Sequence, residues 1–282
     1  MKYITSRANA SVRRALALHN KKGRDKNDAF LTEGFILIKE AISAGREIEQ
    51  IFLRGEAAIS AGSETKQGFL RSDEIAEEIR AGIPDSAEIL TLPEKIFDEI
   101  ADTVTPQGVM AIVKKPNAAD AKKALTNSSS ILVLDRLQDP GNVGTLIRTA
   151  FASGIGAVAC VKGTADVYAL KVVRAAAGAL FRIPVAQTGS AAETIAELKK
   201  AEYSLKTLQM DGGKAYSKAD LSGRVAIIVG NEGSGVSDAF VAEADEIISI
   251  PMQEGAESLN AAIAAGIVLY ERNRQYNENE LY

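Results

Sequence analysis

Three segments carry residues whose types and spacing could do chemistry, each where an apolar run gives way to a polar loop. Asp139-Pro140-Gly141-Asn142 follows the apolar run at 131–134 and opens a helical stretch that carries Arg148. Gly230-Asn231-Glu232-Gly233-Ser234-Gly235 follows the apolar run at 225–229. Ile250-Pro251-Met252 leads, through Glu254 and Gly255, to Glu257-Ser258-Leu259-Asn260 and a long helical run. Ligands of open α/β sheets bind at strand ends of this kind. Asn142 at a helix start can cap the backbone and hold the turn. Arg148, six residues on, can reach back along the helix toward the same mouth. The three glycines let the backbone approach a ligand closely, but their spacing fits neither G-x-G-x-x-G nor a Gly-Lys-Ser/Thr phosphate loop. Taken singly, each feature has an ordinary reading too: an N-cap, a surface arginine, a tight turn, a capping serine at Ser258.

The rest of the composition removes whole classes of chemistry. His19 and Cys160 are the only histidine and cysteine of the 282 residues, too few for a zinc cluster or a Ser-His-Asp triad, so no metal site is expected. Cys160 lies in an apolar run and reads as a small buried hydrophobe. A disulfide within one chain is excluded, which fits a reducing compartment. No apolar stretch reaches the length of a membrane span, and residues 1–10 lack the apolar core of a secretory signal. The expectation is a cytoplasmic protein with no membrane partner. The net charge is −4, yet residues 1–28 hold eight cations against two carboxylates, a net of +6 that leaves −10 on the remainder. A basic leader on an acidic body suits a local polyanion contact; a solvated helix face followed by a lysine-rich loop is the plainer alternative. The cations at issue are Arg7, Arg13, Arg14, Lys21, Lys22 and Arg24.

These segments must be positioned by an α/β scaffold. Ser6 or Asn9 caps a helix with Val12, Ala15 and Leu16 on one face, and Asn20-Lys21-Lys22-Gly23 ends it. A short strand at 29–32, a helix from Phe35 closed by Gly45, a strand at 48–53, a polar loop at 54–68, helices around 73–80 and 94–101, and strands near 88–90 and 108–113 make a small α/β domain over residues 1–115. Residues 116–127, rich in Ala, Lys, Asn and Ser, read as a linker with a short helix at 118–125. From 128 to 282 strands at 131–134, 157–161, 183–186, 203–208, 225–229 and 247–250 alternate with helices near 142–153, 168–177, 191–201, 236–243 and 257–275. Runs such as Ala226-Ile227-Ile228-Val229 show no alternation, as strands buried on both faces require. The second domain is therefore expected to be doubly wound, with a parallel sheet.

In this order, Asp139-Pro140-Gly141-Asn142-Val143-Gly144-Thr145 with Arg148, Gly230 to Gly235, and Ile250-Pro251-Met252 with Glu257-Ser258-Leu259-Asn260 resemble the motifs of the SpoU (TrmH) branch of the knotted SPOUT methyltransferases. The likeness covers about residues 130–272, including Lys171-Val172-Val173-Arg174-Ala175 and Gly178 to Phe181; Glu254 stands where the third motif usually has glycine. Glu33-Gly34-Phe35 and the following helix are similar to the small substrate-binding domain often attached to these enzymes. The resemblance implies a deep trefoil knot in the C-terminal domain, a homodimer, and transfer of a methyl group from S-adenosylmethionine to a ribose 2′-hydroxyl in structured RNA. The substrate is then RNA and not DNA, rRNA before tRNA given the added domain. Leu208, Gly230, Asn231, Ile250 and Leu259 would bind the cofactor, and Asn142, Arg148, Glu232, Ser258 and Asn260 would be catalytic. Because a guanidinium stays protonated in proteins, Arg148 is expected to hold a phosphate and stabilise the developing alkoxide instead of acting as the base. The other readings are a tRNA methyltransferase, a non-catalytic RNA-binding assembly factor on the same fold, and a nucleotide-dependent α/β enzyme unrelated to RNA.

Overall fold

Unbroken apolar runs bounded by loops need cover on both faces, and the chain supplies it with helices. The computed structural model describes residues 2–55, 82–101, 103–255 and 257–280. Residues up to Pro116, with Tyr168–Phe181, form one compact unit; Asn117–Val167 with Arg182–Tyr282 form the other.

The first unit holds a mixed sheet of β1 (Lys2–Tyr3), β2 (Ala29–Glu33), β3 (Ile48–Arg54), β4 (Glu88–Leu92) and β5 (Val109–Lys114), in the order β1-β4-β3-β5-β2. Helices α1 (Ala10–Ala17), α2 (Lys21–Asn27), α3 (Phe35–Ser43) and α4 (Glu94–Ala101) belong to it. Val12, Ala15, Phe52, Leu90, Phe97, Ile100 and Met110 share its core. The sequence predicts a lysine-rich loop after α1, but the Asn20 side chain accepts from the Gly23 N–H at 2.8 Å and starts α2 instead. A Cβ on Gly23 would lie 1.8 Å from the Ala17 carbonyl oxygen, so only glycine lets α2 pack back on the end of α1. The expected helix at 73–80 and nearly all of the expected loop at 54–68 lie outside the described residues.

In the second unit seven strands are all parallel: β6 (Ser130–Asp135), β7 (Ala157–Cys160), β8 (Val185–Gln187), β9 (Ser204–Leu208), β10 (Lys214–Ala215), β11 (Val225–Gly230) and β12 (Glu246–Ser249), in the order β10-β12-β9-β11-β6-β7-β8. The parallel sheet read from the non-alternating runs is what forms: β6 and β11 are buried at every residue. Helices α5 (Ala118–Asn127), α6 (Pro140–Ala152), α8 (Ala191–Lys200), α9 (Asp238–Ala242) and α10 (Ala261–Glu280) belong to this unit. α5 spans most of the stretch read as a linker, and it buries Ala121 and Leu125 in a core with Ile131, Val133, Ile228 and Phe240. Cys160, the last residue of β7, is free and buried, and burial pushes its thiol up to about 12.

The intervening helix α7 (Leu170–Ala175), expected as part of the second domain, groups with the first unit. The cause is local chemistry. The Tyr168 ring sits 4.9 Å from that of Phe30 on the edge strand β2, and Arg174 lies 3.6 Å from the buried Glu33 carboxylate. The segment covers one apolar edge and neutralises one buried acid.

Candidate active site

The loops after β6, β9, β11 and β12 converge at the carboxyl ends of the central strands. At the first, Asp139 and not Asn142 caps α6: its Oδ1 accepts from the Asn142 N–H at 2.8 Å, with Pro140 in the first turn. The chemistry assigned to Asn142 as a cap thus belongs to Asp139, and the Asn142 side chain is left to work between loops. Its Nδ2 donates to Glu232 Oε1 at 3.0 Å, and its Oδ1 accepts from Asn260 Nδ2 at 3.0 Å. One hydrogen-bonded chain, Glu232–Asn142–Asn260, ties the three motifs together.

Glu232 also accepts from the N–H groups of Gln138 and Asp139, both at 3.3 Å. Burial pushes its carboxyl up, but the bonds from Asn142, from its own backbone and from those two N–H groups outweigh it. The net result holds Glu232 below the ordinary carboxylate range. It is therefore an ionised acceptor that fixes its neighbours. Asn260 is doubly used: its Oδ1 accepts from the Ala262 and Ile263 N–H groups at 2.9 and 3.3 Å, capping α10. That helix begins at Ala261, later than the predicted 257, so Ser258 and Leu259 lie in the loop before it.

The glycine segment folds into a closed turn. Asn231 and Gly235 exchange backbone bonds of 3.0 and 2.9 Å, and Asn231 Oδ1 accepts from the N–H groups of Gly233 and Ser234, each at 3.0 Å. A Cβ at Gly230 would sit 2.1 Å from the Val236 nitrogen, so the turn closes only over glycine.

A cleft of about 680 Å³ opens beside this turn, lined by Leu208 to Asp211, Val229 to Val236, Ile250, Met252, Ser258 to Ala261 and Ala264. That volume is in the range of small-molecule sites. All five residues predicted to bind a cofactor, Leu208, Gly230, Asn231, Ile250 and Leu259, line it, as do Glu232, Ser258 and Asn260. Its walls offer apolar surface from Leu208, Val229, Ile250 and Leu259, and among the described residues its only charged lining side chains are the acids Asp211 and Glu232. A ligand with a flat apolar ring and a positive centre suits such a lining, which is the make-up of a sulfonium nucleoside. Among the described residues no group of three metal-ligating side chains occurs.

Arg148 is not brought into the cleft. It stands on the exposed side of α6, and among the described residues it has no hydrogen-bond or ion-pair partner. The basic leader divides sharply. Arg24 is buried, donating from Nη1 to the carbonyls of Leu18 and His19 at 2.7 and 2.9 Å, so it closes the α1–α2 turn and is removed from the RNA-binding set. Arg14 is paired with Glu49, Arg7 with Glu99 and Lys21 with Asp25. Arg13 and Lys22 are exposed, without an ion-pair partner among the described residues. Sequence reasoning passed over Asp135, Arg136 and Asp139 around this site. The signal available for Asp135 was a carboxylate closing an otherwise apolar strand.

Comparison with known proteins now decides the family. The model described as SpoU rRNA Methylase family matches residues 129–270. The chain belongs to the SpoU rRNA methylase family. In this SpoU methylase, residues 9–111 match the MRM3-like substrate binding domain. The 23S rRNA (guanosine(2553)-2′-O)-methyltransferase RlmP of Bacillus subtilis is 34% identical over 270 residues, covering 96% of this chain and 98% of that one. An AdoMet-bound rRNA methyltransferase from Sinorhizobium meliloti superposes with a TM-score of 0.80 at 29% identity, over 97% of both chains. The SpoU methyltransferase AviRb from Streptomyces viridochromogenes, in complex with AdoMet, gives 0.81 at 27% identity over 95% of this chain and 98% of its own. This SpoU methylase is an S-adenosylmethionine-dependent RNA ribose 2′-O-methyltransferase.

Proposed function

We propose that the chain methylates a ribose 2′-hydroxyl of rRNA, with S-adenosylmethionine held in the cleft between the loops after β9, β11 and β12. The observation that carries this is the Glu232–Asn142–Asn260 chain at the rim of a cleft lined by all five predicted cofactor residues. The relatives named for rRNA span nearly the whole chain, both units included, which favours rRNA over tRNA.

When bound, the cofactor supplies an electrophilic methyl group on a sulfonium. The chain's own residues do the rest. Leu208, Ile250 and Leu259 give the apolar walls, and Gly230 and Asn231 bring backbone close to the ligand. Glu232 fixes Asn142 and Asn260, whose amides, with the Ser258 hydroxyl, order the acceptor ribose. Arg148 reaches the RNA from the exposed side of α6, where it binds the phosphate beside the acceptor and stabilises the developing alkoxide while a phosphate oxygen or water takes the hydroxyl proton. A planar, bidentate donor suits that task better than a point charge.

Three further readings accompany this one. The C-terminal segment threads the trefoil knot of the family; support comes from the strand order, with β11 between β6 and β9 and α10 returning onto α6. The enzyme acts as a homodimer in the cytoplasm; support for the dimer comes from Ile263 and Tyr270 on α10 and Phe151 on α6, large apolar side chains left 58, 53 and 44% exposed. The first unit docks RNA through Arg13 and Lys22, with Arg7, Arg14 and Lys21 able to exchange carboxylate for phosphate partners.

Calorimetric titration with S-adenosylmethionine tests the cleft. Ala264→Phe, which fills it from α10, should abolish binding while thermal unfolding stays close to wild type. Undiminished binding in that variant would place the cofactor elsewhere.

A further inference from the structure

The most deeply buried ionisable group at the carboxyl end of the sheet is Asp135, and no role so far assigned uses it. It ends β6 with its side chain fully buried, in register with Gly230 of β11. Its Oδ2 accepts from the Ser237 N–H at 2.7 Å, at the far end of the glycine turn. Its Oδ1 accepts from Arg136 Nε at 3.1 Å. Arg136 has a φ of 60°, a left-handed conformation that costs a side-chain-bearing residue free energy and persists only where neighbours enforce it. In that conformation its carbonyl oxygen accepts from Asn231 Nδ2 at 2.9 Å, and its Nη2 donates to the Gly235 carbonyl at 3.4 Å. The segment from Asn231 to Ser237 is thus gripped at its start, at Gly235 and at its end by the last residue of β6 and the residue after it. Its internal bonds close it on itself; Glu232 ties its outer side to the loop and helix that follow β6, and Asp135 and Arg136 fix its base at the end of β6.

We infer that Asp135, acting with Arg136, is a positioning residue that presets the glycine turn for the methyl donor, and so determines cofactor affinity without touching the cofactor. The inference rests on the reading of the cleft as the cofactor site. The turn contributes every residue from Gly230 to Val236 to the cleft lining and carries Glu232, so its placement sets the cofactor wall and the Asn142–Asn260 chain together. The buried carboxylate is stabilised here by a main-chain N–H and a guanidinium, which also explains why an acid is tolerated at the end of an apolar strand.

Two variants separate this role from a structural one. Asp135→Asn removes the charge and turns an amide donor toward Arg136. Ser237→Pro deletes the main-chain N–H that donates to Asp135, at a φ of −65° that proline adopts without strain. Calorimetry on the full chain should show the Kd for S-adenosylmethionine raised about tenfold or more by either variant, as expected for losing a bond to a charged group. The double variant should lose less than the sum of the two single losses, since Asp135→Asn weakens and Ser237→Pro removes the same Ser237–Asp135 bond. The Kd for an rRNA fragment should stay within about twofold of wild type in both variants, because the cations proposed to dock it, Arg13 and Lys22 in the other unit and Arg148 on the exposed side of α6, are not held by the glycine turn. Unchanged cofactor affinity in Ser237→Pro, or fully additive losses in the double variant, would overturn the inference. If Ala264→Phe leaves cofactor binding intact, the cleft reading has failed; if Ala264→Phe abolishes it and these variants do not weaken it, only the positioning role has failed.

Discussion

Asn142 shows how much a single side chain's task depends on its neighbour. With Asp139 satisfying the helix start, the Asn142 amide is released to accept from Asn260 and donate to Glu232. Asn142→Ala should reduce methyl transfer by about 10²-fold, the cost expected when an acceptor-ordering group is displaced, with cofactor affinity nearly unchanged; single-turnover assays at saturating cofactor measure it. Glu232 sets the acid limit of the same assembly. Its folded carboxyl titrates below the ordinary range, so the order it confers is complete above that range and is lost as pH falls through its lowered folded value. Cofactor affinity followed from pH 7 downward should hold into the ordinary carboxylate range and be lost only below it, and Glu232→Gln should be weak throughout with little pH dependence. A wild-type affinity that already falls between pH 7 and 5 would remove Glu232 from this role.

At the scale of elements, most strands of the second unit were legible because burial on both faces leaves a compositional mark, and the glycine turn was legible because its glycines stand together directly after a strand. Gly230→Ala puts a methyl group against the Val236 backbone, so it should abolish cofactor binding while far-ultraviolet circular dichroism shows the sheet intact. What sequence alone could not give was decided by partners remote in the chain. Asn20 starts a helix where a loop was expected, because Gly23 lets that helix seat on Ala17. Arg24 counts as one more cation in the sequence, but its side chain is consumed by two carbonyls. Arg24→Ala should therefore cost about 2–3 kcal/mol of stability in denaturant unfolding and leave RNA affinity unchanged at temperatures where the chain is folded. Residues 168–181 sit between two strands of one sheet in sequence yet join the other unit, a choice made by the Phe30 edge and the buried charge of Glu33.

Across the whole molecule, the proposed function asks an overall acidic chain to bind a polyanion through a small subset of its cations. Of the six cations predicted to meet RNA, ion pairs and burial leave Arg13 and Lys22 uncommitted among the described residues. Replacing both with glutamate should weaken RNA binding and lower the slope of log affinity against log salt by about 2, one for each phosphate no longer neutralised. An unchanged slope would move the docking surface elsewhere. The central claim is that this cleft serves methyl transfer to an rRNA ribose, and transfer of label from S-adenosylmethionine to unmodified rRNA and tRNA, side by side, tests it most directly. The account predicts label in rRNA, resistance of one linkage to alkali, and a fall of about 10²–10³-fold in Arg148→Ala. Label in tRNA alone, or label in rRNA that survives Arg148→Ala undiminished, would contradict it.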